Sequence, residues 1–205
     1  MIKLIGRVAA ACALACAGLT TLAMSGAPAS NTPPFPNYTA LGFDACRLPC
    51  YAGLHPGQTA FDSAGTLLQA NIPQPLSQIA IDAQTLRFQE QAARPRLLGM
   101  VSSVNGRVRS VEVQTPLPAR WLLDELGSPD CVIPGDPQDV GGMHSMVWLT
   151  PVGLIWAAID ATPRLVGSEH EVFLMTLIDM DEKACWGDLL PWRGFAPAWR
   201  YRETQ

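Results

Sequence analysis

No glycine-rich phosphate loop, no pair of C-x-x-C knuckles and no G-x-S-x-G elbow occurs in the 205 residues. The local signatures of nucleotide binding, structural zinc and an activated serine are therefore missing. Charge is scarce: 16% of residues are charged and the formal net charge is -4, a balance that excludes a basic nucleic-acid binder. An apolar share of 48% excludes a disordered tail. The long apolar run is confined to the N-terminus, which excludes a polytopic membrane protein. The three histidines, His55, His144 and His170, do not stand at the helical or alternate-strand spacing of a hydrolytic metal site. Exposed or capping roles are expected for them.

What is present begins with an address. Lys3 and Arg7 precede an uncharged stretch from Val8 to Met24, followed by Ala27-Pro28-Ala29 and Ser30, the order of a secretory signal with an A-x-A cleavage site. Residues 1–29 are thus expected to be a signal peptide or a retained N-terminal anchor. At 17 residues the run falls just short of a bilayer span and is rich in alanine, which favours cleavage. Ala13-Leu14-Ala15-Cys16 imitates a lipoprotein box, but apolar sequence continues past Cys16. Loss of the leader lowers the basic count from 14 to 12 against 18 acids, leaving about -6, which suits a soluble part that avoids phosphate backbones and anionic lipids.

Four cysteines remain: Cys46, Cys50, Cys131 and Cys185. An even number in an exported chain reads as two disulfides. Three pairings are open; the short Pro-containing loop Cys46-Arg47-Leu48-Pro49-Cys50 favours a bridge between its own ends, leaving Cys131 to Cys185. A zinc site would want two C-x-x-C knuckles, and a redox dithiol a C-x-x-C at a helix start. Neither spacing is present.

Residues 30–40 carry Pro33, Pro34 and Pro36 and are expected to be a solvated linker, with a glycosylation-type triplet at Asn37-Tyr38-Thr39. Residues 41–205 are expected to form one domain. Thr59 and Asp62 resemble a capping box for a helix over 60–69, whose apolar positions Ala60, Phe61, Ala64, Leu67 and Leu68 share one face. Strands are expected around Leu86 and Phe88, over 97–104 and over 108–114, with Asn105-Gly106 as a type I′ turn between the last two. A second helix over 118–126 ends at Gly127. Strands over 146–149, 154–159 and 172–178 follow. The expected fold class is α+β: two short helices packed on a twisted antiparallel sheet, in helix-strands-helix-strands order.

Chemistry is thinly signalled. Asp179, Asp181 and Glu182 form an acidic cluster without the glycine of a calcium loop. Asp124, Glu125, Asp160 and Glu171 could be nominated as glycosidase carboxylates, but sequence cannot set their separation. Gly167-Ser168-Glu169-His170 places a serine beside a histidine without the elbow that would expose it. The richer pattern is C-terminal: Trp186, Trp192, Phe195, Trp199 and Tyr201 interleave with Arg193, Arg200 and Arg202. These are hot-spot residue types and equally the residues of a tail wrapped on a core. Trp186, Trp192, Arg193, Phe195, Trp199 and Tyr201 form the candidate binding surface.

Pro56-Gly57-Gln58-Thr59 before a helix and Leu122-Leu123-Asp124-Glu125-Leu126-Gly127-Ser128-Pro129 resemble matching parts of small exported bacterial domains, in the style of the outer-membrane assembly lipoprotein and β-lactamase inhibitor protein families. The Cys46-x-x-x-Cys50 opening resembles the start of exported bacterial proteins. The resemblance implies one or two helix-on-sheet units, a binding or scaffolding role, and no transferred catalytic or binding residue. No catalytic residue, cofactor or metal is assigned, and a non-enzyme is favoured. The expectation is an extracytoplasmic module contacting an envelope or extracellular protein, with no nucleic acid, and a membrane only through an uncleaved leader. Its rivals are a secreted enzyme whose site assembles in three dimensions and an inhibitor of a secreted enzyme.

Overall fold

The computed structural model describes residues 41–92, 96–114, 117–133, 143–160, 171–182 and 184–194, all inside one compact unit, Pro36–Gln205. The expected leader (1–29) and linker (30–40) lie outside the described residues. The elements are a 3-10 turn at Phe61–Ser63, helix α1 (Ala64–Asn71), strands β1 (Leu76–Asp82), β2 (Thr85–Glu90), β3 (Leu98–Val104), β4 (Arg107–Gln114) and β5 (Leu117–Pro118), helix α2 (Ala119–Leu126), and strands β6 (Cys131–Ile133), β7 (Met143–Thr150), β8 (Gly153–Asp160), β9 (Glu171–Ile178) and β10 (Leu190–Pro191).

The ten strands make one antiparallel sheet in the order β1-β2-β3-β4-β9-β8-β7-β6-β10, with β5 beside β9. The fold is therefore mainly β, and the α+β expectation is corrected: β1, β5, β6 and β10 add to the six strands anticipated, while only two eight-residue helices form among the described residues. The added strands are short or sit at an edge, where periodicity is weakest. Helix plus four-stranded meander occurs twice, α1 before β1–β4 and α2 before β6–β9. The two meanders join through their last strands, from Ser110↔Ile178 to Val113↔Met175.

Because successive strand residues point to opposite faces, the register sorts the side chains. One row runs Phe88, Gly99, Val113, Met175, Ala157, Met146, Val132 across seven strands. A second runs Leu86, Val101, Val111, Leu177, Ile155, Trp148. This is the face covered by both helices and by the segment from Leu41 to Leu54, and it carries the main core. Tyr51 sits within it, edge-on to Phe43 at 5.0 Å and stacked on Phe88 at 6.2 Å. Its hydroxyl donates to the Leu41 carbonyl at 2.8 Å, and burial pushes its pKa far above the ordinary tyrosine range.

Local geometry agrees with the turn chemistry and departs from the capping box. Asn105 and Gly106 take φ of 54° and 72°, the left-handed pair of a type I′ hairpin. Gly127 closes α2 at φ 76°, and Trp148 Nε1 donates to its carbonyl at 3.0 Å. Thr59 does not cap α1. Its hydroxyl accepts from the His55 backbone N–H at 2.8 Å, and α1 starts only after the 3-10 turn, with no side-chain cap.

Candidate functional site

Two disulfides are formed, Cys46–Cys50 and Cys131–Cys185, with Cα separations of 5.7 and 5.8 Å. This is the pairing favoured from the short loop, and it fits an oxidising, extracytoplasmic environment. Cys131 lies on β6 with its side chain on the face opposite the helices. There Cys185 anchors a C-terminal segment whose Trp186 and Leu189 pack with Val147, Leu154 and Met180. Trp192 packs instead with Val132 and Leu190, on the helix side, its backbone N–H donating to the Asp130 carbonyl at 2.9 Å. Of the candidate aromatic surface, then, the structure separates Trp186 and Trp192 by the sheet itself. Arg193 is exposed; Phe195, Trp199 and Tyr201 lie outside the described residues, as do Arg200, Arg202 and the stretch Gly167–His170.

The cover over the outer face is one-sided. A row across that face runs Ile79, Arg87, Met100, Glu112, Thr176, Trp156, Val147, Cys131. Val147 and Cys131 are buried beneath the C-terminal segment, whereas the first half of the row reaches solvent. Ile79 is 54%, Ile81 57%, Met100 38% and Val104 52% exposed. Among the described residues β1 pairs with β2 alone, so its other side is a sheet edge. From Leu76 to Ile81 that edge carries neither charge nor proline, two of the usual devices that keep an edge from pairing. A bulge interrupts it only at Ala80/Asp82.

A second cluster surrounds the first disulfide. Tyr51 and Leu54 bridge across a tight turn whose Ala52 and Gly53 take φ of 48° and 79°. That turn folds His55 back so that the ligand atoms of Cys46, Cys50 and His55 all lie within 4.8 Å of one another. Among the described residues it is the one grouping of three such groups. Cys50 is buried and Cys46 half-buried; the Gly53 N–H reaches Cys46 Sγ at 3.4 Å. Cys46 also lines an open cavity of about 420 Å³ with Phe43, Asp44, Arg47, Trp121 and Glu125.

The remaining nominations stay apart. His144 is 4% exposed inside β7 rather than at an exposed strand edge. Asp179 pairs with Arg109 at 3.6 Å and, with Asp181, walls a shallow cavity of about 320 Å³ beside Gly57 and Gly153. Asp124 pairs with Arg120 one helical turn away at 3.8 Å, Glu125 lies exposed on the same helix, and Glu171 is exposed at the start of β9. The open edge of β1 was not nominated from sequence, and neither was the role of His55. The former has a signal in its uncharged run, the latter in the spacing C-x3-C-x4-H. No helix among the described residues is long and apolar enough to cross a membrane. No family model, no curated protein and no solved structure matches the chain.

Proposed function

We propose that the protein is a secreted or envelope-attached binding module that takes an extended segment of another extracytoplasmic protein onto the free edge of β1. The single observation that carries this reading is the uncharged run Leu76–Ile81 at a sheet edge unpaired among the described residues, with Ile79 and Ile81 more than half exposed. An edge strand offers a row of backbone donors and acceptors to an incoming strand, and alternate side chains supply selectivity. The incoming strand would set apolar, β-branched residues beside Ile79, in line with Met100 two strands further in, and polar residues on the other side, beside Gln78. The two disulfides agree with such a role outside the cytoplasm, as does the leader expected from residues 1–29.

The test uses the mature domain and a library of extended seven-residue peptides. A peptide selected from it is expected to protect the amides of β1 from hydrogen exchange. Replacing Ile79 and Ile81 together by lysine should weaken binding by at least about tenfold, one interface anchor being worth more than about 1.4 kcal/mol, with no change in the urea midpoint. Val152→Lys, at another exposed apolar position, should bind as wild type. Protection that maps to the C-terminal segment, or equal binding by the lysine pair, overturns the reading.

A further inference from the structure

The grouping at the first disulfide has a use that the edge of β1 does not touch. We infer that Cys46, Cys50 and His55 form a redox-gated zinc site: closed while the disulfide stands, and open to one Zn²⁺ once it is reduced. Two sulfurs and an imidazole already lie within 4.8 Å of one another. Tetrahedral zinc, with bonds of about 2.3 Å to sulfur and about 2.0 Å to nitrogen, needs ligand atoms about 3.5 to 3.8 Å apart. The imidazole therefore has about 1 Å to travel, while the sulfurs have only to part to that distance within a four-residue span. Three protein ligands leave the fourth position to water, the arrangement of an open site.

The charges suit a divalent ion, and two soft sulfur ligands with an imidazole suit zinc among them. Two thiolates and a neutral imidazole balance a divalent cation, so the complex places no net charge beside the buried Cys50. The Gly53 N–H, at 3.4 Å from Cys46 Sγ, supplies the outer hydrogen bond that metal thiolates favour. Cys46 opens on the cavity of Arg47 and Trp121, which gives a reductant and the ion their approach; Cys131, by contrast, lies beneath Trp186 and Leu189.

The bond between the Cys46 and Cys50 sulfurs breaks on receiving two electrons and two protons from a dithiol reductant, which leaves as its own disulfide. Zinc then displaces both thiol protons to water and gains one bond from each sulfur and one from the imidazole.

The experiment titrates the mature protein, mildly reduced and then held anaerobically, with zinc in equilibrium dialysis, and with cobalt as a spectroscopic probe. Differential alkylation and mass mapping report which thiols the metal shields. One ion per chain is expected for the reduced protein and none for the oxidised, with thiolate-to-cobalt charge-transfer bands and shielding of Cys46 and Cys50. His55 is exposed, so His55→Ala should fold normally; it should weaken zinc binding by at least about tenfold, since even a residue that only hydrogen-bonds a metal ligand is worth that much. Absence of binding by the reduced protein, unchanged affinity in His55→Ala, or shielding of Cys131 and Cys185 instead overturns the inference.

Discussion

Single residues set the limits of this fold most sharply where the core is tightest. Gly99 lies under the ring of Phe88, and a Cβ there would press on that ring and come within 2.6 Å of the Glu112 carbonyl oxygen. Gly99→Ala should therefore cost about 1–3 kcal/mol, the usual penalty of overpacking, read as a lower urea midpoint at constant slope. Tyr51 gives a pH signature. Its folded pKa is raised by burial above the ordinary 10.0, so its contribution is complete below pH 10.0 and falls as pH rises, because only the unfolded chain can ionise. The loss should approach about 1.4 kcal/mol per pH unit above that point. Tyr51→Phe should remove this component of the slope between pH 9 and 11, while costing about 1 kcal/mol at neutral pH through the unpaired Leu41 carbonyl. Equal slopes in the two proteins would show that the hydroxyl ionises freely in the fold. Neither role was legible in the sequence, and His55 shows why. A histidine five residues beyond a cysteine reads as an isolated loop residue until the turn at Ala52 and Gly53 returns it to the sulfurs.

The same limit operates on whole elements. The Asn105-Gly106 hairpin was legible because positive φ at two successive residues is a local demand that few sequences meet. β7 and β8 were legible as apolar runs, being buried on both faces over most of their length. β1 was hidden because its alternation is inverted: Gln78 faces the core side, donating to the Gly65 carbonyl at 2.8 Å, while Ile79 and Ile81 face solvent. β5, β6 and β10 have two or three residues each, too few for any period, and tertiary pairing alone makes them strands. Three-residue β6 is held in place by its disulfide, which gives an element-scale prediction. Chain entropy assigns about 4 kcal/mol to Cys131–Cys185, closing 54 residues, and about 2 kcal/mol to Cys46–Cys50, closing four. Replacing each pair by alanine and measuring urea unfolding should rank them in that order. The first replacement should also raise hydrogen exchange in β6 and β10, since Cys185 anchors the segment that covers Val147 and Leu154. An equal loss from both pairs would mean that native contacts, not loop closure, set their worth.

At the scale of the molecule, helix and meander occur twice, yet the repeat is not two folding units. The joint between β4 and β9 pairs only Ser110 to Val113 with Met175 to Ile178, shorter than the eight-residue ladder of β7 and β8. On ladder length alone the halves could part. The side chains argue otherwise: Val111, Val113, Met175 and Leu177 are fully buried at that joint, and one continuous core runs from Phe88 in the first meander to Met146 in the second. Separating the meanders would expose that apolar face on both sides at about 25 cal/mol per Å², a penalty to which the loss of the β4–β9 backbone bonds adds. The asymmetry lies on the other face, where, among the described residues, the second meander is covered by the C-terminal segment and the first reaches solvent. Unfolding should accordingly be a single cooperative transition, with calorimetric and van't Hoff enthalpies equal. Leu177→Ala should lower its midpoint by about 4–20 °C, the equivalent of about 2–5 kcal/mol for a domain of this size, without dividing it. Two resolved transitions in that variant, or a calorimetric enthalpy well above the van't Hoff value in the wild type, would establish the meanders as independent and move the weak point of the fold to the β4–β9 joint.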